Sequence, residues 1–238
     1  MALLGELQRV FENTYGRPAG VDLEACVVGP RRCAELAARS DGEHAELGPW
    51  ARFFYYGEER NLRLAIFYAD DVIATLEARD PRRALTESNV VPFLVFIEEC
   101  SHAVHTTLAF GDGGLERVHA PGFLHELELL GRIDAYLLLR HFVGRHTPRF
   151  TARDRAWVRH QAVARWDVPY DDPEMADRYR GAARLATAFV DRLEAAPARG
   201  RLRELRAFRA LPMPEKRSRV EPGDRSAEGG DWSTERDD

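Results

Sequence analysis

The segment 123–142, FLHELELLGRIDAYLLLRHF, places two carboxylates on the apolar face of a predicted helix. At about 100° per residue, one face collects the apolar side chains Phe123, Leu127, Leu130, Ile133, Leu137 and Leu138. Glu126 and Asp134 fall inside the same arc. Because burying a lone carboxylate is expensive, each acid must be neutralised, paired or bound to a cation. The candidate partners are His102, His105, an arginine or a metal ion.

Two further charged residues of this segment are predicted to lie at the surface. Glu128 and Arg132 point away from the apolar arc and are four residues apart. Opposite charges at this spacing lie next to each other on a helix. We therefore expect Glu128 and Arg132 to form an exposed ion pair.

The earlier segment 90–109 predicts a second helix with a polar edge beside its core face. The core face consists of Phe93, Ile97, Cys100, Val104 and Leu108. Glu98, His102 and His105 share the adjacent edge, and Glu99 lies on the other side of His102. A solvated face usually carries lysine, arginine and glutamate in mixture, whereas this helix has no basic residue apart from histidine. The edge is therefore a candidate functional site rather than an ordinary solvent-exposed helix face.

The stretch IEECSHAVH, residues 97–105, resembles the active-site helix of zincin metallopeptidases. Those helices carry the motif HExxH, and residues 98–102 keep this pattern with glutamate in place of the first histidine. The order of elements is also similar, because a predicted β-hairpin precedes the helix and a later helix carries acids. In the glutamate-using zincins, that later acid completes the metal site. The resemblance covers about forty residues of the 238.

This resemblance implies a role for each residue of the motif. Glu98 and His102 would be metal ligands one helical turn apart, a spacing at which two side chains converge on one ion. Glu99 would be the general base that activates a metal-bound water. Glu126, or Asp134, would be the third protein ligand. The implied function is a metal-dependent peptidase or hydrolase.

The ligand types bear on the choice of metal. Two carboxylates and one imidazole could hold Zn²⁺, and such a site also suits Mn²⁺ or Fe²⁺. His105 lies on the same edge and is a further candidate ligand. The loss of the first histidine could instead mark a degenerate site that binds no metal and hydrolyses nothing.

Two other hypotheses remain open at this point. Glu99 and His102 also fit the ExxH motif of ferritin-like di-metal bundles, but that site needs a second ExxH motif, which a symmetric dimer would have to supply. The second hypothesis is a non-catalytic interaction or scaffold protein, in which Glu98, His102, Glu126 and Asp134 form a buried hydrogen-bonded cluster.

The sequence predicts an α+β fold that is mostly α, with a β-hairpin packed on a helical bundle. In the stretch ARFFYYGEERNLRLAIFY, two runs of aromatic and apolar residues flank a polar turn, and the side chains of the second run alternate between two faces. This pattern is typical of a hairpin. Predicted helices follow it, and the glycines of GDGG at 111–114 are expected to end the one that spans 90–109. Residues 1–211 are predicted to form one globular domain. The proline-, glycine- and charge-rich residues 212–238 are predicted to be a disordered tail.

Composition bears on partners and on cellular location. The net charge of −5 and the pI of about 5.9 argue against a nucleic-acid-binding surface. The three cysteines contain no CxxC pair, so a reducing cytoplasm is expected, and no apolar run reaches the length of a membrane span. Arginine supplies nearly all the positive charge, which suggests a GC-rich bacterial genome. The expected partner is an unknown peptide or protein, and an oligomer is compatible with the sequence.

Overall fold

The computed structural model describes residues 2–39, 50–58, 61–147, 149–166 and 173–221. The helices are α1 (Ala2–Tyr15), α2 (Pro30–Ala37), α3 (Asp70–Ala78), α4 (Val90–Val118), α5 (Phe123–His146), α6 (Ala152–Ala162), α7 (Pro173–Ala195), α8 (Ala198–Ala210) and α9 (Met213–Val220), and the strands are β1 (Ala51–Glu58) and β2 (Asn61–Tyr68). The predicted fold class is confirmed, because a two-stranded hairpin packs on a bundle of helices. None of the helices in the described part of the chain combines the length and the apolar composition that a membrane crossing requires.

The hairpin has two buried faces because its side chains alternate between two cores. Phe53 of β1 and Ile66 of β2 point into the main core, which also contains most of the buried apolar residues of the helices. Phe54 and Ala65 point to the opposite side and pack with Cys33 of α2 in a small second core. The hairpin therefore lies between α2 and the bundle, with β1 and β2 both in contact with α4.

Helix α4 is longer than the sequence predicted. It continues past residue 109 to Val118, and the expected linker is a kink inside it: the backbone is non-helical at Gly113 and Gly114, with φ of 63° at Gly114. Because glycine has no Cβ, it adopts this positive φ at little cost, so the glycines interrupt the helical backbone, as predicted, and a short helical segment continues beyond them to Val118. Helix α4 packs against α1, α3 and α5 as well as the hairpin, which makes it the central element of the fold.

The predicted disordered tail is wrong for residues 213–220, which form α9, while residues 222–238 lie outside the described residues. Lys216 of α9 is completely buried. Its ammonium donates to Glu126 Oε1 at 2.8 Å, to the Arg209 carbonyl at 2.8 Å and to the Leu211 carbonyl. A segment with few apolar residues is thus held in place by a buried charge.

We expect Lys216 to couple stability to pH. Burial lowers the pKa of Lys216 to about 8, although Glu126 opposes this shift, whereas an unfolded lysine has a pKa of about 10.4. Between these two values the unfolded chain still binds a proton that the folded chain has released, so stability rises with pH. The unfolding free energy of the wild type minus that of Lys216→Met should increase by about 3 kcal/mol from pH 7.5 to pH 10.5.

Urea unfolding of both proteins at the two pH values measures this difference. Subtracting the two unfolding free energies cancels the contributions of the tyrosines and cysteines that titrate in the same pH range. Arg217→Met is the matched control, because Arg217 is exposed on the same helix and should give a difference that does not depend on pH. A difference for Lys216→Met that stays constant or falls with pH would contradict the expectation.

Candidate metal centre

Glu98, His102 and Glu128 form the group in the described part of the chain that could hold a metal ion. Glu98 and His102 are one turn apart on α4, and Glu128 faces them from α5. One ligand atom from each residue lies within 4.8 Å of the other two. Tetrahedral ligands at Zn–ligand distances of about 2.1 Å are about 3.4 Å apart, so a modest approach of the three side chains would suffice. The side chain of Glu98 is 15% exposed, which gives the group an edge at the solvent.

The imidazole of His102 has one nitrogen engaged and the other without a partner. Nδ1 lies 3.3 Å from Glu99 Oε2, and Nε2 is buried with no hydrogen-bond partner. A carboxylate on Nδ1 fixes the ring orientation and raises the basicity of Nε2, as outer carboxylates do for metal-bound histidines. The ring is therefore oriented with Nε2 as the nitrogen available to a ligand.

This contact also changes the role that the zincin resemblance implies for Glu99. The Glu99 carboxylate lies behind the imidazole, on Nδ1, and is not one of the three clustered ligand side chains. Burial raises the pKa of Glu99, and the hydrogen bond to His102 opposes that rise. The geometry favours a residue that positions His102 over a general base that deprotonates water.

Burial and the neighbouring charges shift the pKa values of Glu128 and His102. Burial raises the pKa of Glu128 to about 6, against the opposing charge of His102. For His102, burial alone would lower the pKa, but the hydrogen bond to Glu99 and the charges of Glu128, Glu99 and Glu98 raise it to about 9. At neutral pH a proton on His102 therefore supplies part of the positive charge that these acids require.

Gly131 provides room beside the imidazole. A Cβ at this position would lie 3.3 Å from Nε2 of His102 and 3.7 Å from Cγ of Glu98. A glycine in a helix interior costs about 1 kcal/mol relative to alanine, and the close approach of His102 and Glu98 gives this one a packing reason. The glycine therefore lets the backbone of α5 pack close to the buried Nε2.

The predicted exposed pair of Glu128 and Arg132 is wrong, because both residues are buried, with exposed fractions of 6% and 3%. Arg132 Nη2 lies 3.3 Å from Glu98 Oε1. The error has a physical cause: α5 packs against α4, α6 and α7, so more than one of its faces is covered. Glu128 was consequently missed as a candidate ligand. The mid-helix glycine three residues later was the signal that could have indicated it.

Glu126 is buried, as predicted, but the structure does not bring it together with Glu98 and His102. Its carboxylate accepts hydrogen bonds from Arg117 at 2.5 and 2.7 Å and from Lys216 at 2.8 Å. Two cations therefore already compensate this acid, and the third member of the group is Glu128 instead.

Asp134 and His105 are also buried and form a separate network. Asp134 accepts from Tyr15 at 2.5 Å and from Ser101 at 2.6 Å, and His105 Nε2 lies 2.8 Å from the same carboxylate. Ser101 and His105 both contact Asp134 Oδ2 rather than each other, so the three do not have the Ser-to-His contact that a nucleophilic triad needs. The network ties α1 and α4 to α5.

The chain was compared with protein-family models, with curated proteins and with solved structures, and nothing matches in any of the three. The chemistry of the group is therefore inferred from its own residues. Two carboxylates and one oriented imidazole could hold a divalent metal ion.

We expect His102 and His105, which are both buried, to titrate on opposite sides of neutrality in metal-free protein. His102 should remain protonated up to about pH 9, for the reasons given above. Burial lowers the pKa of His105, and Asp134 only partly offsets this effect. Imidazole NMR signals, assigned with His102→Ala and His105→Gln, measure both values. A His102 signal that titrates below pH 7 would contradict the expected rise of its pKa, and Glu99→Gln should lower the midpoint because it removes the charge on Nδ1.

Proposed function

We propose that this chain binds a divalent metal ion through Glu98, His102 and Glu128, and that it catalyses a metal-dependent hydrolysis. The observation that carries the proposal is Nε2 of His102, a buried nitrogen without a hydrogen-bond partner beside two carboxylates. Buried polar atoms in proteins are normally hydrogen-bonded, and exceptions indicate an ion, a water or a functional role. A metal ion would satisfy Nε2 and both carboxylates together.

Hydrolysis is the reaction that this ligand set supports best. Three protein ligands leave a further coordination position for water or a substrate oxygen, as in catalytic rather than structural zinc sites. A metal ion held here would polarise that oxygen. Glu99 would hold His102 in position, and the exposed edge of Glu98 would give access from solvent. The spacing of Glu98 and His102 is the part of the zincin resemblance that this proposal keeps, since Glu99 holds His102 and Glu128 takes the place of Glu126.

Metal analysis of purified protein tests the ligand assignment. The wild type should take up one equivalent of Zn²⁺, Mn²⁺ or Fe²⁺ after dialysis, measured by inductively coupled plasma mass spectrometry. His102→Ala and Glu128→Gln should each weaken binding by at least about 100-fold, because a metal site loses a direct ligand. His119→Ala is the control for adventitious binding, since His119 is exposed at the end of the same helix.

Uptake that is unchanged in Glu128→Gln but lost in Glu126→Gln or Asp134→Asn would favour the ligand set implied by the zincin resemblance. Thermal melting of each variant separates loss of metal from loss of fold. Hydrolysis of labelled casein and of p-nitrophenyl acetate, with and without chelator, then tests the reaction. Metal uptake without hydrolysis of either compound would limit the proposal to metal binding.

Gly131→Ala should weaken metal binding by about tenfold or more without unfolding the protein. The added methyl would lie 3.3 Å from Nε2 of His102 and would crowd the approach to that nitrogen. Gly144→Ala is the matched control, because it is a glycine of the same helix whose added Cβ meets no atom within 4 Å. Zn²⁺ titration calorimetry compares the two variants with the wild type. Equal affinities in all three proteins would contradict a metal site at this position.

A structural charge cluster is the second candidate, favoured by one specific contact. Arg132 Nη2 lies 3.3 Å from Glu98 Oε1, so a protein cation already compensates one of the proposed ligands. In that case Glu98, His102 and Glu128 would join α4 to α5 without a metal. The same uptake measurement separates the two candidates, because a structural cluster predicts no bound ion and no effect of chelator on the melting temperature.

A further inference from the structure

A cavity of about 260 Å³ lies where α1, α3 and α4 meet. Its apolar wall takes one residue from α1, two from α3 and one from α4: Leu3, Ile73, Leu76 and Phe96. An apolar cavity of about 150 Å³ is large enough to bind benzene, so this one has room for an aromatic ring or a short alkyl chain.

The cavity lies on the other side of α4 from the proposed metal ligands. Phe96 and Glu98 are two residues apart on this helix, so their side chains leave it about 200° apart. None of the residues that line the cavity belongs to the group of Glu98, His102 and Glu128. A ligand in this cavity therefore does not depend on a metal ion.

Three charged side chains complete the lining of the cavity, and two of them are bound to each other. Arg82 Nε donates to both carboxylate oxygens of Asp80 at 2.9 Å, and Nη2 lies 2.7 Å from Asp80 Oδ2. Arg82 Nη1 also lies 3.5 Å from Glu6 Oε2 on α1. Because two carboxylates already engage this guanidinium, it is not available to an anionic ligand.

Glu77 is the third charged residue of the lining, and its charge is not compensated. It is exposed, and it has neither a hydrogen bond nor an ion pair with any residue in the described ranges. It lies in the last turn of α3, where the backbone carbonyls carry partial negative charge. With two carboxylates against one guanidinium, the charges of the lining favour a cation.

We infer that this cavity binds a small organic amine, with its apolar body against Leu76 and Phe96 and its ammonium group at Glu77. Burial of the apolar body against the wall supplies the affinity, since removing apolar surface from water is favourable. The ion pair with Glu77 supplies the specificity, because it favours an ammonium group over a hydroxyl or a carboxylate of the same size. The ligand class is therefore a primary amine that carries an aromatic ring or a short alkyl chain.

NMR titration of ¹⁵N-labelled protein with hexylamine, 1-hexanol and hexanoate tests the inference. The three compounds share one alkyl chain and differ in charge, and the protein is kept metal-free with a chelator so that no metal ion can bind the amine. We expect hexylamine to bind about threefold to fivefold more tightly than 1-hexanol, which is the effect of one ion pair near the surface. Hexanoate should bind most weakly, and the shifted amide signals should include those of Ile73, Glu77 and Phe96.

Glu77→Gln should remove the preference for hexylamine and leave the affinity for 1-hexanol unchanged. Glu116→Gln is the matched control, because Glu116 is an exposed glutamate near the other end of α4 and should behave as the wild type. Ile73→Trp places a larger side chain in the wall of the cavity and should abolish binding of both compounds. Circular dichroism melting checks that each variant is folded, and Glu77→Gln carries the test if Ile73→Trp is not.

Four results would overturn the inference. The first is a wild type that binds none of the three compounds, and the second is equal affinity for hexylamine and 1-hexanol. The third is a preference for hexylamine that persists in Glu77→Gln. The fourth is a folded Ile73→Trp variant with wild-type affinity, which would place the amine elsewhere on the protein.

Discussion

Burial of three carboxylates on α5 is the constraint on which the rest of the structure depends. Glu126, Glu128 and Asp134 are each nearly inaccessible to solvent, and each needs compensation within the protein. The compensating groups come from different elements: the end of α4 and α9 for Glu126, the middle of α4 for Glu128, and α1 with α4 for Asp134. One helix therefore fixes the positions of three others through polar contacts inside an apolar core.

The three acids are not equally well satisfied, and this difference selects the candidate site. Glu126 has contacts with two cations, and Asp134 accepts from two hydroxyl groups and contacts an imidazole. Glu128 Oε2, in contrast, is buried without a hydrogen-bond partner, as is the nearby Nε2 of His102. Unsatisfied polar atoms are costly in a core, and these two belong to the group that could hold a metal ion.

The sequence was sufficient to predict the hairpin, the helices that carry the site and the burial of Glu126 and Asp134, because each follows from local periodicity. It was insufficient for Glu128. A helical wheel assumes one buried face, whereas α5 is covered by α4, α6 and α7, so a residue off the main apolar arc is buried as well. The role of Glu99 could not be predicted from the sequence either, since a spacing of three residues does not say which imidazole nitrogen the carboxylate contacts. Helix α9 was missed because Lys216, not an apolar stripe, holds it.

Lys216 connects the packing of α9 to the charge compensation of Glu126. It is the one lysine in a chain whose other basic side chains, apart from histidine, are arginines. A compact ammonium can donate to three converging acceptors, here the carboxylate of Glu126 and the carbonyls of Arg209 and Leu211, whereas a planar guanidinium cannot. Because the Lys216 ammonium donates to the Glu126 carboxylate, this acid helps to hold α9 in place. Glu128, on another face of the same helix, is the acid left to face Glu98 and His102.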